Sequence, residues 1–404
     1  MLIQLLLFIL LGILFGTITG LIPGIHINLV SAIIVSLTIS VFAKTNVIYL
    51  VAFIVSMSIT HTFTDFIPSV LLGCPDSDTE LSVLPGHELL KKGQGYQAIV
   101  LTLYGSFAAI ILLLILSFPF GIVIKKTYNT ISNLMPFILI GIIFIMLYLE
   151  KRKINSLIVI IITGILGTIT LNYPDLNQPF LPLLSGLFGA SNLILSIKNK
   201  TKIPEQKIST PTIKLKNMFR PLLGSAIASP ICTVLPGLGA GQASILGHTI
   251  ANPKEDKKSF LILLGATNTL VMGFSFITLY LISKTRTGSA LAVQELIGNI
   301  NLSTTILIIS IILISGIISF YSTKQLAKFF SIKIQKISYT KISIITLIFI
   351  TTITTIISGF LGLIILIIST ITGIYCISLG VRRTNMMGSL LIPTILYYFG
   401  VSLL

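Results

Sequence analysis

The chain has 404 residues, of which 54% are hydrophobic and only 9% charged, and its mean hydropathy is +1.03. A soluble domain carries about 25% charged residues to keep its surface wet, so this composition excludes a water-soluble protein and turns most of the surface to lipid. The net charge of +16 does not imply nucleic acid, because the cations fall in short loops between apolar runs, as the positive-inside bias requires, and no DNA- or RNA-binding motif accompanies them.

The opening run MLIQLLLFILLGILFG lacks the basic n-region and small-residue cleavage site of a signal peptide, so it reads as a retained first transmembrane segment. A spanning helix needs about 20 apolar residues. That length predicts spans near 2–20, 27–43, 47–73, 97–118, 133–149, 154–171 and 180–197 in the first part of the chain. The second part gives 219–235, 242–252, 259–282, 302–322, 342–358, 360–380 and 384–403, with Gly359 and Gly362 as the turn between two of them. Several runs are short, notably 242–252, so about 10–12 crossings are expected. Continuous rather than alternating apolar runs make the class all-α, a polytopic helical membrane protein and not an outer-membrane barrel.

Between the two groups lies KNKTKIPEQKISTPTIKLKNMFR (198–220), with seven cations against one acid. This suggests an N-terminal transmembrane unit (1–197), a basic cytoplasmic linker (198–218) and a C-terminal unit (219–404) in the cytoplasmic membrane. The turn at Glu150, Lys151, Arg152 and Lys153 and the stretch 324–341 fit the linker's side, whereas Lys125 and Lys126 fall opposite. Cys74, Cys232 and Cys376 show no metal or disulfide spacing.

Two breaks interrupt the apolar pattern. Pro23 and Gly24, followed by His26 and Asn28, split the first; Pro236 and Gly237, followed by Gly239, Gly241 and Gln242, split the second. Breaking a helix inside lipid strands backbone N–H groups, which is tolerable only where protein, water or ligand meets them. A half-helix starting there aims its N–H groups and positive dipole end into a cavity, which suits an anion. Paired breaks in matching halves point to a transporter's binding site. Laying one break on the other, with a six-residue slip downstream, aligns Thr62 with Thr269, Ser82 with Ser289 and Glu88 with Glu295, a weak internal repeat. The candidate substrate contacts are thus Pro23, Gly24, His26, Asn28, Pro236, Gly237, Gly239, Gly241, Gln242 and Asn268.

Ionisable groups inside a membrane are functional candidates by default. His61 and Asp65, four apart and on one helix face, read either as a proton relay or as a structural hydrogen bond. Lys284 and Arg286 read as snorkelling cations. Glu80, Glu88, Asp76 and Asp78 read as solvated loop residues, and Asp175 as a turn residue.

The two breaks, together with IPSVLLGCPDSDTELSVLPGHELLKKGQGYQAIVLTLYGS (67–106), resemble the TctA family, the large membrane subunit of tripartite tricarboxylate transporters, and most closely its shorter archaeal branch. The resemblance covers most of the chain and is strongest at 12–106 and 224–298. It implies an all-helical permease with inverted repeats that moves an anion, in many members with a small second membrane subunit and an extracytoplasmic binding protein. Where tricarboxylate members carry a YGGS-like run, this chain has THTFTDFIPS (60–69), which leaves the tricarboxylate substrate open. The expectation is a secondary permease for a small carboxylate, with no cofactor or metal, and with a homo-oligomer left open. A translocase of isoprenoid-lipid phosphate is the alternative cargo reading. An intramembrane metal-dependent enzyme is the rival class, for which His87 and Glu88 offer only a near miss of H-E-x-x-H, with Lys91 at the second ligand position.

Overall fold

The computed structural model describes residues 2–22, 27, 30–31, 34–35, 45–72, 79–148, 150–198, 204–213, 215–234, 239–251, 256–285, 287–298, 300–334, 339–381 and 383–400, and contains no strand among them. Pro23, Gly24, His26, Asn28, Pro236 and Gly237 lie outside the described residues, as do Asp76, Asp78 and Arg286. Seven helices among the described residues are long and apolar enough to cross a membrane, and two shorter apolar stretches accompany them.

Helices α1 (Leu2–Leu21) and α2 (Val47–Thr64) run parallel. Gly12, Gly16 and Gly20, one turn apart, sit against Ser56, Thr60 and Thr64, also one turn apart. A Cβ on Gly16 or Gly20 would lie 2.8 Å from that of Thr60 or Thr64. Small residues at this spacing let two backbones approach in lipid, where association rests on van der Waals packing. Pro68 has no N–H for the Thr64 carbonyl, so the expected span 47–73 divides at Asp65 into α2 and the short α3 (Phe66–Leu71).

Helix α4 (Val83–Lys91) packs on α3 through Gly86, whose place beside Val70 leaves no room for a side chain. Then comes α5 (Gly95–Tyr148), 54 residues with Pro119 and Pro136 inside. The expected separate runs 97–118 and 133–149 are therefore joined by helix rather than loop. An isolated proline kinks a helix whose neighbouring turns keep their bonds, and need not end it. Helix α6 (Lys153–Leu171) follows, then α7 (Phe180–Leu184), a π turn (Ser185–Ala190) and α8 (Ser191–Lys198).

The second part contains α9 (Leu215–Val234), α10 (Ala240–Ala251), α11 (Lys257–Ile282), α12 (Gly288–Ile297) and α13 (Leu302–Ile334). Helix α13 absorbs much of the expected basic stretch 324–341. Helix α14 (Tyr339–Ser378) bends at Gly359, where φ is +69°, matching the expected turn; glycine tolerates this conformation without a Cβ clash. A 3-10 turn (Arg383–Met387) and α15 (Gly388–Tyr398) end the described chain.

Contacts fix the helix directions. Lys257 at the start of α11 is ion-paired with Glu88 of α4, which corrects the expectation that Glu88 is only a solvated loop residue. Helix α2 runs towards α4 and α11 runs away from it, so the two are antiparallel. Helix α5 runs with α11, as Gly105 meets Ile262, Gly273 meets Leu113 and Gly121 meets Leu281. Helix α13 runs against α5, as Phe320 stacks on Tyr104 while Gly316 meets Ile110. Helix α9 starts beside the start of α11, where Ser259 donates to the Asn217 carbonyl at 3.3 Å.

Helices α2 and α11 form the spine: 83% and 94% of their apolar windows are buried, against 28% for α1 and for α5. The helices around them turn apolar surface outward, as lipid demands. A second group, α6 to α8 with α14 and α15, closes through glycines: Gly167 on Ser389, Gly388 on Ile160, Gly186 on Leu366 and Gly373 on Leu187.

Candidate functional site

Helix α2 carries a buried polar stripe at Ser56, Ser58, Thr60, His61, Thr62, Thr64 and Asp65, and α11 buries Thr267, Asn268 and Thr269. Most hydroxyls return a bond to their own helix, such as Ser58 to the Ile54 carbonyl and Thr267 to the Leu263 carbonyl, which satisfies them locally. A few reach across helices. Thr62 and Thr269 share a hydroxyl–hydroxyl bond of 3.0 Å. Asn268 Nδ2 donates to Asp65 Oδ2 at 2.8 Å. Thr19 Oγ1 and His61 Nδ1 are 3.1 Å apart, and Ser319 of α13 donates to Thr60 at 2.8 Å. Four helices, α1, α2, α11 and α13, therefore meet in one polar cluster.

The cluster lies deep. At 1.5 Å per residue, Asn268 is about 17 Å along α11 from Lys257 and about 21 Å from Ile282, close to the middle of a hydrocarbon core about 30 Å thick. Helix α1 ends at Leu21, two residues after Thr19 and immediately before the Pro23 break, so the first break follows the chain out of this cluster.

At the second break, Gly239 precedes α10 and its N–H donates to Gln242 Oε1 at 2.6 Å. A side-chain oxygen three residues into a helix that reaches back to the N-cap N–H forms half of a capping box. Gln242 is fully buried, and its Nε2 has no hydrogen-bond partner among the described residues. A buried amide donor without a partner costs about 1–3 kcal/mol, so the start of α10 presents a donor to whatever fills the break. Val271, one turn beyond Asn268, shares a buried apolar cluster with Cys232, Ala240 and Ala243, so the start of α10 packs into the same region of the core. Gly241 is buried in the first turn of α10.

The structure therefore joins Asp65 to Asn268 and Gly239 to Gln242. Thr19 lies on His61 and Asn268 on Asp65, and the Asp65 N–H bonds the His61 carbonyl at 3.0 Å. Sequence reasoning passed over Thr19, Thr60 and Ser319. Their only signal is a hydroxyl placed one helical turn from another small or polar residue in an apolar run. No group of three His, Cys, Asp or Glu side chains that could hold a metal occurs among the described residues.

Residues 6–388 match the family described as the tripartite tricarboxylate transporter TctA family. The chain is also 34% identical over 357 residues to an uncharacterized protein, MJ1079, of Methanocaldococcus jannaschii, covering 86% of this chain and 88% of the relative. No solved structure matches. With nearly its whole length matched and its apolar helices in place, the chain belongs to the tripartite tricarboxylate transporter TctA family and is a multi-pass membrane transporter component.

Proposed function

We propose that the chain is a secondary permease for a small anion, a carboxylate rather than a lipid phosphate, that binds between two inverted halves at mid-membrane depth. The observation that carries this reading is the deep cluster in which Asp65 meets Asn268 and Thr62 meets Thr269, beside a helix that stops at its own break. The matching elements support the inversion. Helices α1 and α9 have 20 residues each, α4 and α12 have 9 and 10, and α5 and α13 follow them. Partners run oppositely: α1 with α2 against α9 with α11, and α5 against α13. Thr62 and Thr269, which correspond in the weak repeat, touch each other, as residues on a two-fold axis do.

In this reading Pro23, Gly24, Pro236 and Gly237 open the helices, and His26, Asn28, Gly239, Gly241, Gln242 and Asn268 offer donors to the anion. Asp65 supplies the coupling. A buried carboxylate beside an anion site repels the anion until a proton neutralises it, so anion and proton enter together, with His61 as the relay. A small membrane subunit and an extracytoplasmic binding protein are the partners expected of a tripartite system. The test is proton uptake by the purified protein in weak buffer on adding succinate or citrate. Wild type takes up a proton as it binds, and Asp65→Asn binds without uptake. Binding with no proton uptake by wild type removes the coupling role.

A further inference from the structure

We propose that the turn Arg383–Met387, with α4 and α8, forms a second oxyanion site, on the cation-rich face of the membrane, that takes a phosphate or carboxylate group. It is independent of the mid-membrane site. The Arg383 guanidinium donates from Nη2 to Asn192 Oδ1 of α8 at 2.9 Å, while Nη1 is shut off from solvent with no hydrogen-bond partner among the described residues. A guanidinium stays charged at any working pH and carries five donors in a planar fork. Arg383 is half-buried, and a guanidinium drawn partly out of water without a counter-charge among the described residues is unfavourable.

The charges facing it do not neutralise it. Burial lowers the Arg383 pKa, and among the described residues no carboxylate acts against that shift. His87 is driven down to about 4, first by burial, then by the Arg383 cation and then by Lys91, so at neutral pH it is an uncharged imidazole between two cations. Two described carboxylates nearby have partners of their own. Glu150 accepts from Asn385 at 3.0 Å and from the Lys151 N–H at 3.2 Å, and Glu88 pairs with Lys257. Beside the Glu150 carboxylate held by Asn385, the locus thus holds two cations and an imidazole, a donor set that a planar or tetrahedral oxyanion matches.

The scaffold is built rather than loose. Asn385 is fully buried on Glu150, and Gly388 sits on the Ile160 carbonyl. The end of α4 is strapped by the linker, where Gln206 donates to the Leu90 carbonyl and accepts from the Gly95 N–H at 2.8 Å, and the Lys207 N–H meets the Gly93 carbonyl at 2.7 Å. Arg152 joins the same face by donating to the Leu379 carbonyl at 3.1 Å. Basic loops converge here, where an anionic lipid headgroup and a soluble anion are both at hand.

The test measures affinity by native mass spectrometry and by thermal shift on full-length protein. One arm titrates phosphatidylglycerol into phosphatidylcholine nanodiscs, and the other adds inorganic phosphate or succinate in neutral nanodiscs. One arm saturates, which identifies the source, and Arg383→Gln weakens that binding at least about tenfold. His26→Ala, which removes carboxylate binding at the mid-membrane site, leaves it unchanged, which separates the two sites. If Arg383→Gln does not fold, Lys91→Ala, at an exposed position, carries the test and weakens binding several-fold. Unchanged affinity in the variant that folds, or no saturable binding in either arm, overturns the proposal.

Discussion

Single residues at the spine show how costly polar chemistry is managed in lipid. Asp65 receives Asn268 Nδ2, and truncating the donor to a buried carboxyl oxygen takes that bond away. Asn268→Leu should therefore lower stability by about 1–3 kcal/mol, read as a drop in thermal midpoint in detergent, whereas Asn172→Leu, whose half-buried amide donates to the Thr168 carbonyl of its own helix end, should cost much less. His87 gives a pH signature of its own. Its folded pKa, about 4, lies below the ordinary 6.5, so the unfolded chain binds the proton more readily. Stability is full above about pH 6.5, declines as pH falls towards 4, and levels off below that. Between pH 7 and 4.5 the loss should be about 1–2 kcal/mol after allowing for solvent around a partly exposed ring, and His87→Gln should remove that slope from a melting curve measured against pH.

Among the elements, glycine spacing decides which helices become neighbours. Gly265 faces Thr102, where a Cβ would lie 2.9 Å from the Thr102 Cα, and Gly105 faces Ala266 in the same crossing. Gly265→Leu should thus destabilise by about 1–3 kcal/mol or more, while Gly141→Ala, where nothing lies within 4 Å, should leave the midpoint within about 1 kcal/mol of wild type. These contacts explain what was legible beforehand. Helix positions followed from apolar length, and the Gly359 bend from a glycine between two long runs. The division of α2 at Asp65 was readable in Pro68, yet apolar length alone hid it. Polar partners were not readable: Asn268 lies 203 residues from Asp65 and Arg383 lies 191 from Asn192, so only the packed fold brings them together. The shared helix face of His61 and Asp65 is readable from their spacing, whereas the Thr19 and Asn268 contacts to them come from other helices.

For the whole molecule, the cation-rich end of the spine carries Glu88, Lys257 and the linker straps, while Lys125 stacks over Tyr280 near the far end of α11. Cysteines introduced at Lys91 and Lys284 should label from opposite sides of sealed vesicles; labelling from one side would undo the helix directions on which the proposed inversion rests. The proposed deep anion site is open to direct test. Its most direct measurement is the thermal stability of the purified protein against di- and tricarboxylates, inorganic phosphate, sulfate and short isoprenyl phosphates, with wild type beside His26→Ala. Ligand at 100 times its dissociation constant adds about 2.7 kcal/mol to the native state. A small carboxylate should stabilise the wild type, and that stabilisation should be lost in His26→Ala. Stabilisation by isoprenyl phosphate alone, or an equal carboxylate response in both proteins, would contradict the proposed site.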